Sequence, residues 1–273
     1  MAKGNTSRKP VNPWIERIAR FGYATKGVVY ILVGALAVLA ALGKGGQTTD
    51  TRGAFKEVYS QPFGMILLGI ISIGLFGYAI WRITQAVADA EGKGNDLKGI
   101  SIRIGYASSG LIHAGLAYSA ARLLLGEREA SSEQEHKSRT AQLMQLPFGV
   151  LLTGFAGAGF IAFGIYQFYK GYKHKFLKRL ESGAMNATEH RWVVRCGQIG
   201  LAARGVVFSI IGYFLIRAAF NYNPREVRGL EGALEAIAVQ PFGRELLGIV
   251  AAGLAVYGFY MLVEAKYHRI RAS

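Results

Sequence analysis

The chain contains one cysteine, Cys196, which excludes an internal disulfide and any metal centre built from cysteines. Carboxylates are scarce: 17 Asp and Glu face 32 Lys and Arg, for a net charge of +15. No carboxylate pair falls inside an apolar run, no histidine–carboxylate pattern has metal-ligand spacing, and no glycine-rich phosphate loop is present. An enzyme is therefore not expected, and no cofactor is called for. Ser108 and Ser109 lie near His113, but no oxyanion or orienting group accompanies them. His136, His174, His190 and His268 fall in loops or at segment ends, which argues against a bis-histidine haem site in the bilayer. The stretch Met1–Pro13 is short and polar and lacks the apolar core of a secretory leader, so no cleavage is expected there.

Long apolar runs are abundant. Phe63–Trp81, Ile104–Ala121, Ala141–Tyr169 and Leu246–Val263 carry no charge, while Phe21–Leu42 and Cys196–Ile216 hold one cation each, Lys26 and Arg204. Segments near 20 residues match a hydrocarbon core of about 30 Å. They lack the polar stripe of a soluble helix. The spacing predicts an all-α membrane protein with six transmembrane helices.

These runs repeat. Gln61-Pro62-Phe63-Gly64, Leu146-Pro147-Phe148-Gly149 and Gln240-Pro241-Phe242-Gly243 each open an apolar segment, with glycines following in register at Gly69 and Gly74, Gly154 and Gly159, and Gly248 and Gly253. A preceding run opens with Gly22 and Gly27, Gly105 and Gly110, or Gly200 and Gly205. After a tail over 1–20 with an interfacial segment, the repeats span 21–86, 104–172 and 196–267, two helices each. Three copies pointing the same way predict parallel repeats in a pseudo-threefold bundle. Between the helices of each repeat, Arg52–Tyr59, Thr140–Leu146 and Gly229–Val239 read as interfacial stretches, with Gly126–Arg139 as a solvated linker. Proline is expected as the first residue of each second helix.

Of the 32 lysines and arginines, 21 fall on the side of the N-terminus, which predicts both termini inside. Trp14, Trp81 and Trp192 are expected at the same boundary as interfacial anchors. Positive-inside bias and attraction to anionic headgroups account for the net charge, so lipids are the expected partners, with other membrane subunits possible and no nucleic acid.

Aligning the repeats brings Lys26, Ser109 and Arg204 to one position, Tyr30, His113 and Phe208 to a second, and Gln85, Lys170 and Glu264 to a third. A cation inside the bilayer costs about 2.5–3.5 kcal/mol and marks a candidate site. Two readings stay open for Lys26 and Arg204. They snorkel to the surface, or they form an axial basic cluster with Arg17 and Arg195 at an inner mouth and Glu264 as counterion. That cluster would bind an anion or anionic headgroup. His113 stands near the midplane, one turn from Ser109, whose hydroxyl is its expected partner.

The Trp-x7-Gly-x3-Lys/Arg-Gly opening at Trp14–Gly27 and Trp192–Gly205, with the threefold Pro-Phe-Gly phrase, resembles a bacterial integral-membrane family, domain of unknown function 1206, over about 21–267. The middle repeat departs from the pattern, with Leu97 for tryptophan and Ser109 for the cation. The resemblance implies tandem two-helix units in the bacterial cytoplasmic membrane, multi-pass, and brings no catalytic residues. Two functions follow from the residues. One is a small-solute or ion channel or transporter with a basic inner mouth; the other is a structural or accessory protein that binds lipid or another membrane subunit. Mitochondrial carriers also use three two-helix repeats, but their Pro-x-Asp/Glu-x-x-Lys/Arg signature is missing here.

Overall fold

In lipid, backbone amides find no water, so apolar runs of this length satisfy them internally as helices. A computed structural model describes residues 13–127, 132–181, 183 and 185–268, with the backbone alone at 15, 132 and 179. Among these residues nine α-helices form: α1 (Pro13–Ala41), α2 (Thr51–Ser60), α3 (Gly64–Val87), α4 (Leu97–Leu124), α5 (Ser132–Met144), α6 (Gly149–Tyr172), α7 (Ala187–Phe220), α8 (Leu230–Ala238) and α9 (Gly243–Tyr267). Residues 1–12 of the expected tail, with Lys3, Arg8 and Lys9, lie outside the described residues, as do Arg128, Arg269 and Arg271. Residues 13–20 are the first turns of α1, continuous with the rest of that helix.

Five helices, α1, α3, α6, α7 and α9, are long and apolar enough to cross a membrane. α4 has the length, 28 residues, but Ser108, Ser109, His113 and Ser119 dilute its apolar run. Side chains such as Ile73 (68% exposed), Phe155 (66%) and Ile249 (70%) cover the outside of the bundle, a surface suited to lipid rather than water. Trp81 corrects one expectation. It is 1% exposed within the aromatic core and anchors no interface, whereas Trp14 and Trp192 are exposed.

The Pro-Phe-Gly phrase is a hinge rather than a proline-started helix. The helices begin at Gly64, Gly149 and Gly243, each preceded by a phenylalanine in the left-handed region, with φ of 62°, 63° and 57° at Phe63, Phe148 and Phe242. The Gly64 and Gly149 amides donate to the Gln61 and Leu146 carbonyls at 2.8 Å. Proline thus stands second and the left-handed residue third, as in a type II turn. A left-handed backbone costs a side-chain-bearing residue about 1–2 kcal/mol. The following glycine is a steric necessity: a Cβ at Gly149 would lie 1.7 Å from the Leu143 carbonyl oxygen, and one at Gly243 2.0 Å from that of Ala238. The hinge folds each short helix (α2, α5 or α8) back against the long helix that follows.

The connection between the two long helices of the second repeat also differs from expectation. Residues read as a solvated linker belong to α5, which starts at Ser132, not at Thr140. Its Glu133 accepts the Gly229 amide at 2.9 Å, just before α8, and Arg52 of α2 pairs with Glu135. α5 therefore ties the short connecting segments of all three repeats together.

The tightest helix pairs join consecutive repeats: α3 with α4, α6 with α7, and α9 with α1. Small residues bring these backbones close. A Cβ at Gly27 would stand 2.7 Å from the Gly258 carbonyl oxygen, one at Gly205 3.0 Å from that of Gly164, and one at Gly110 3.3 Å from that of Ala79. Within repeats, α1 packs on α3 and α7 on α9, while α4 and α6 make next to no contact. The helices therefore follow one another as an arc, α4, α3, α1, α9, α7, α6, open between its ends.

The connector after α6 closes the end of the bundle where α1 starts. Phe176, fully buried, stacks edge-on against Tyr260 at 5.4 Å, and Leu180 bridges to His268, whose ring lies 4.8 Å from that of Tyr23. Phe176→Ala is expected to cost about 3–5 kcal/mol, the usual penalty for emptying a buried aromatic site. A thermal melt in detergent measures it, and an unchanged melting temperature would show that this connector is not part of the core.

Candidate functional site

Lys26 on α1, Tyr78 on α3, His113 on α4, Arg204 on α7 and Tyr257 on α9 each fall near the middle of their helices. They meet in the interior. Lys26 Nζ donates to the Tyr78 hydroxyl at 3.0 Å, and Arg204 Nη1 donates to the Tyr257 hydroxyl at 2.8 Å. Tyr78 and Tyr257 occupy the same position of repeats 1 and 3, fourteen residues after the hinge glycines Gly64 and Gly243, so one cation–tyrosine pair is built twice. The second repeat carries Ser109 and Phe163 in those places and has no such pair.

Tyr30 joins the two halves. Its ring lies 6.0 Å from Lys26 Nζ, 5.6 Å from the Arg204 guanidinium and 4.8 Å from the Tyr257 ring. Arg204 also sits over Phe208 at 5.1 Å, and His113 stacks on Tyr78 at 4.5 Å. The sets aligned from the sequence, Lys26 and Arg204 with Tyr30, His113 and Phe208, thus gather around Tyr30 and Tyr78. Aromatic faces and phenolic oxygens solvate the cations there. The Arg204 Nε is buried and finds no hydrogen-bond partner among the described residues. Snorkelling is overturned for Arg204: it is Arg217, nearly half-exposed and paired with Glu226 at 3.1 Å, that reaches the surface.

Several expected members have partners other than those expected. His113 Nδ1 pairs with the backbone carbonyl of Ser109 at 2.7 Å, not with its hydroxyl. Because a carbonyl only accepts, Nδ1 is the donor in that contact. Glu264 is buried against His268, with 3.4 Å between Oε1 and Nδ1. Arg17 is exposed and lies 5.4 Å over Trp14, and Arg195 is exposed as well. Sequence reasoning missed Arg82, placed at a helix edge. It is 8% exposed, its Nε donates to the Tyr78 hydroxyl at 2.7 Å, and its Nη1 donates to Gln85 Oε1 at 2.9 Å. Gln85 leads on to Glu91, which also accepts from the Tyr106 hydroxyl at 2.7 Å. The recurrence of Tyr78 and Tyr257 in register was the available signal.

A concave region of about 570 Å³ lies beside α4 and α5, lined by Arg52, Tyr118, Arg122, Glu135, Arg139 and Gln142. Its charges pair within the protein: Glu135 with Arg52 and Arg139, and Arg122 with Glu127. Partial burial disfavours the Glu135 carboxylate, but Arg52 and then Arg139 outweigh it and hold the carboxyl below its ordinary range. A folded-state pKa below the unfolded one contributes stability at neutral pH that is lost as the solution is acidified through the carboxylate range. The melting temperature of the parent protein should therefore fall more steeply than that of Glu135→Gln between about pH 6 and about pH 3. Parallel slopes would show that the pair contributes nothing.

Apolar helices with lipid-suited surfaces around a polar interior define a multi-pass helical membrane protein. The chain belongs to the family named Domain of Unknown Function (DUF1206), which matches it three times, at residues 21–89, 104–174 and 199–268. It is 39% identical over 263 residues to the uncharacterized protein YxxB of Bacillus subtilis (strain 168), covering 96% of this chain and 94% of that one. No solved structure matches it.

Proposed function

We propose that this protein binds small anions in the crevice between Lys26 and Arg204 and lets them pass through the membrane. In this reading α4 is the sixth span, and the three parallel repeats are related by a pseudo-threefold axis. Both termini lie on the cytoplasmic side of a bacterial cytoplasmic membrane. Exposed basic residues at that side, Arg17, Arg191 and Arg195 among them, meet anionic headgroups. The protein acts without an enzymatic step or a cofactor.

One observation carries the reading. Two cations stand within 6.0 Å of the Tyr30 ring at mid-helix depth, and a buried nitrogen of one, Arg204 Nε, finds no hydrogen-bond partner among the described residues. A cation in the bilayer costs about 2.5–3.5 kcal/mol, which packing alone gives no reason to spend. Buried polar atoms are nearly always hydrogen-bonded, so an unpartnered donor in a cationic crevice suits an anion. A packed accessory protein is the second reading, favoured by the aromatic closure around Phe176 and Tyr260.

Flux from proteoliposomes decides between them. The protein is expected to release entrapped nitrate, chloride or phosphate faster than empty liposomes do, and Lys26→Met or Arg204→Gln to remove the difference. Flux no greater than that of empty liposomes would overturn the permeation reading and leave the accessory one.

A further inference from the structure

The second repeat is built to the same pattern as the others, yet its two helices stand apart. In the first repeat a Cβ at Gly22 would lie 2.6 Å from the Tyr78 backbone, and one at Gly74 would lie 1.9 Å from Thr25 Oγ1. In the third, the same positions are just as close, with Gly200 2.6 Å from Tyr257 and Gly253 2.5 Å from the Ala203 side chain. By register the second repeat should pair Gly105 with Phe163 and Ser108 with Gly159. A Cβ at Gly105 or Gly159 instead meets none of the described residues within 4 Å. The gap between α4 and α6 thus exposes the glycine faces that elsewhere seal a repeat.

Three features make this gap an entrance rather than loose packing. It lies on the side of the bundle where the cation–tyrosine pair is absent, so its edges are small or apolar: Gly105, Ser108, Gly159 and a Phe163 that is 42% exposed. Behind it, His113 on α4 stacks on Tyr78, which accepts from Lys26 and Arg82, so α4 leads directly to the buried cations. The end of the bundle where α1 starts is meanwhile closed by Phe176, Tyr260 and Leu180. A ligand that reaches Lys26 and Arg204 from the side must therefore come out of the bilayer.

Resting on the anion-binding reading, we propose that the ligand is an anionic amphiphile, a phosphate or carboxylate headgroup on an acyl chain, which enters laterally between α4 and α6. Its headgroup is held by Lys26, Arg204 and the phenolic hydroxyls around Tyr30, and its chain lies along the small-residue faces of the gap. Charge complementarity selects the headgroup. The lipid-facing opening selects the tail.

The test uses the full chain in nanodiscs that contain phosphatidylglycerol or phosphatidylcholine with a photoactivatable acyl chain, with labelled peptides read by mass spectrometry. Phosphatidylglycerol is expected to label α4 and α6 at least ten-fold more than phosphatidylcholine. Gly159→Phe, which fills the gap at a position where a Cβ meets nothing, should remove that excess while the protein still folds and melts normally. Equal labelling by the two lipids, or an excess that Gly159→Phe leaves untouched, overturns the proposal. Phosphate flux measured alongside separates the two sources of the same headgroup chemistry. Flux of free phosphate without selective lipid labelling refutes the lateral entrance and leaves the anion site standing. Neither flux nor labelling refutes both.

Discussion

Arg204→Gln loses at least ten-fold in anion flux while the protein melts no lower than the parent. The two halves of this result have separate causes. Hydrogen bonds to charged groups contribute about 1.5–3 kcal/mol, and 1.4 kcal/mol is a factor of ten in binding. Removing the guanidinium from the crevice therefore weakens an anion by about ten- to a hundred-fold. Stability moves the other way, because the charge's cost of about 2.5–3.5 kcal/mol within the bilayer disappears. The Tyr257 hydroxyl loses its 2.8 Å donor, which returns part of that gain. Lys26→Met is the cleaner companion, because Tyr78 keeps the Arg82 Nε donor at 2.7 Å. A purely structural arginine gives the opposite pattern, a lower melting temperature with flux unchanged. Flux and melting measured on the same preparations distinguish the two.

Gly149→Ala prevents folding, whereas Gly159→Ala ten residues along the same helix is tolerated. At Gly149 the added Cβ stands 1.7 Å from the Leu143 carbonyl oxygen and 3.0 Å from the Met144 Cα, both of them backbone atoms. No side chain can yield, so the turn that directs α6 back against α5 must open. Phe148 already holds a left-handed backbone there, which leaves no slack in the hinge. The expected loss exceeds about 4 kcal/mol, the range reached only by severe core or backbone disruption. At Gly159 the same methyl meets none of the described residues, and replacing a helix-interior glycine by alanine gains up to about 1 kcal/mol. Size-exclusion profiles and melting curves of the two variants make the comparison. A folded Gly149→Ala protein of parent stability would refute the hinge.

Much of the site could be read from register alone. The repeats aligned Lys26 with Arg204, and Tyr30 with His113 and Phe208, and these side chains do gather around Tyr30 and Tyr78. Arg82 escaped because its place near the end of an apolar run looks like an interfacial cation. Its burial depends on Tyr78, Tyr23 and Tyr106, which come from three different helices. Trp81 escaped for the same reason: an aromatic near a helix end reads as an anchor until a neighbouring element covers it. The Pro-Phe-Gly phrase was visible as a helix start, but the left-handed phenylalanine was not, since that conformation favours glycine.

The sequence alone determined the helices, their division into three units and the positions that correspond between them. Backbone groups in lipid must be satisfied within each segment, and duplicated glycines keep their spacing. Only the tertiary structure decided which faces meet. An apolar run is equally apolar on every side, and lipid competes with a neighbouring helix for each face, so composition does not say where two helices pack or part. The tyrosine partners of Lys26 and Arg204, and the separation of α4 from α6, arise from that choice of faces.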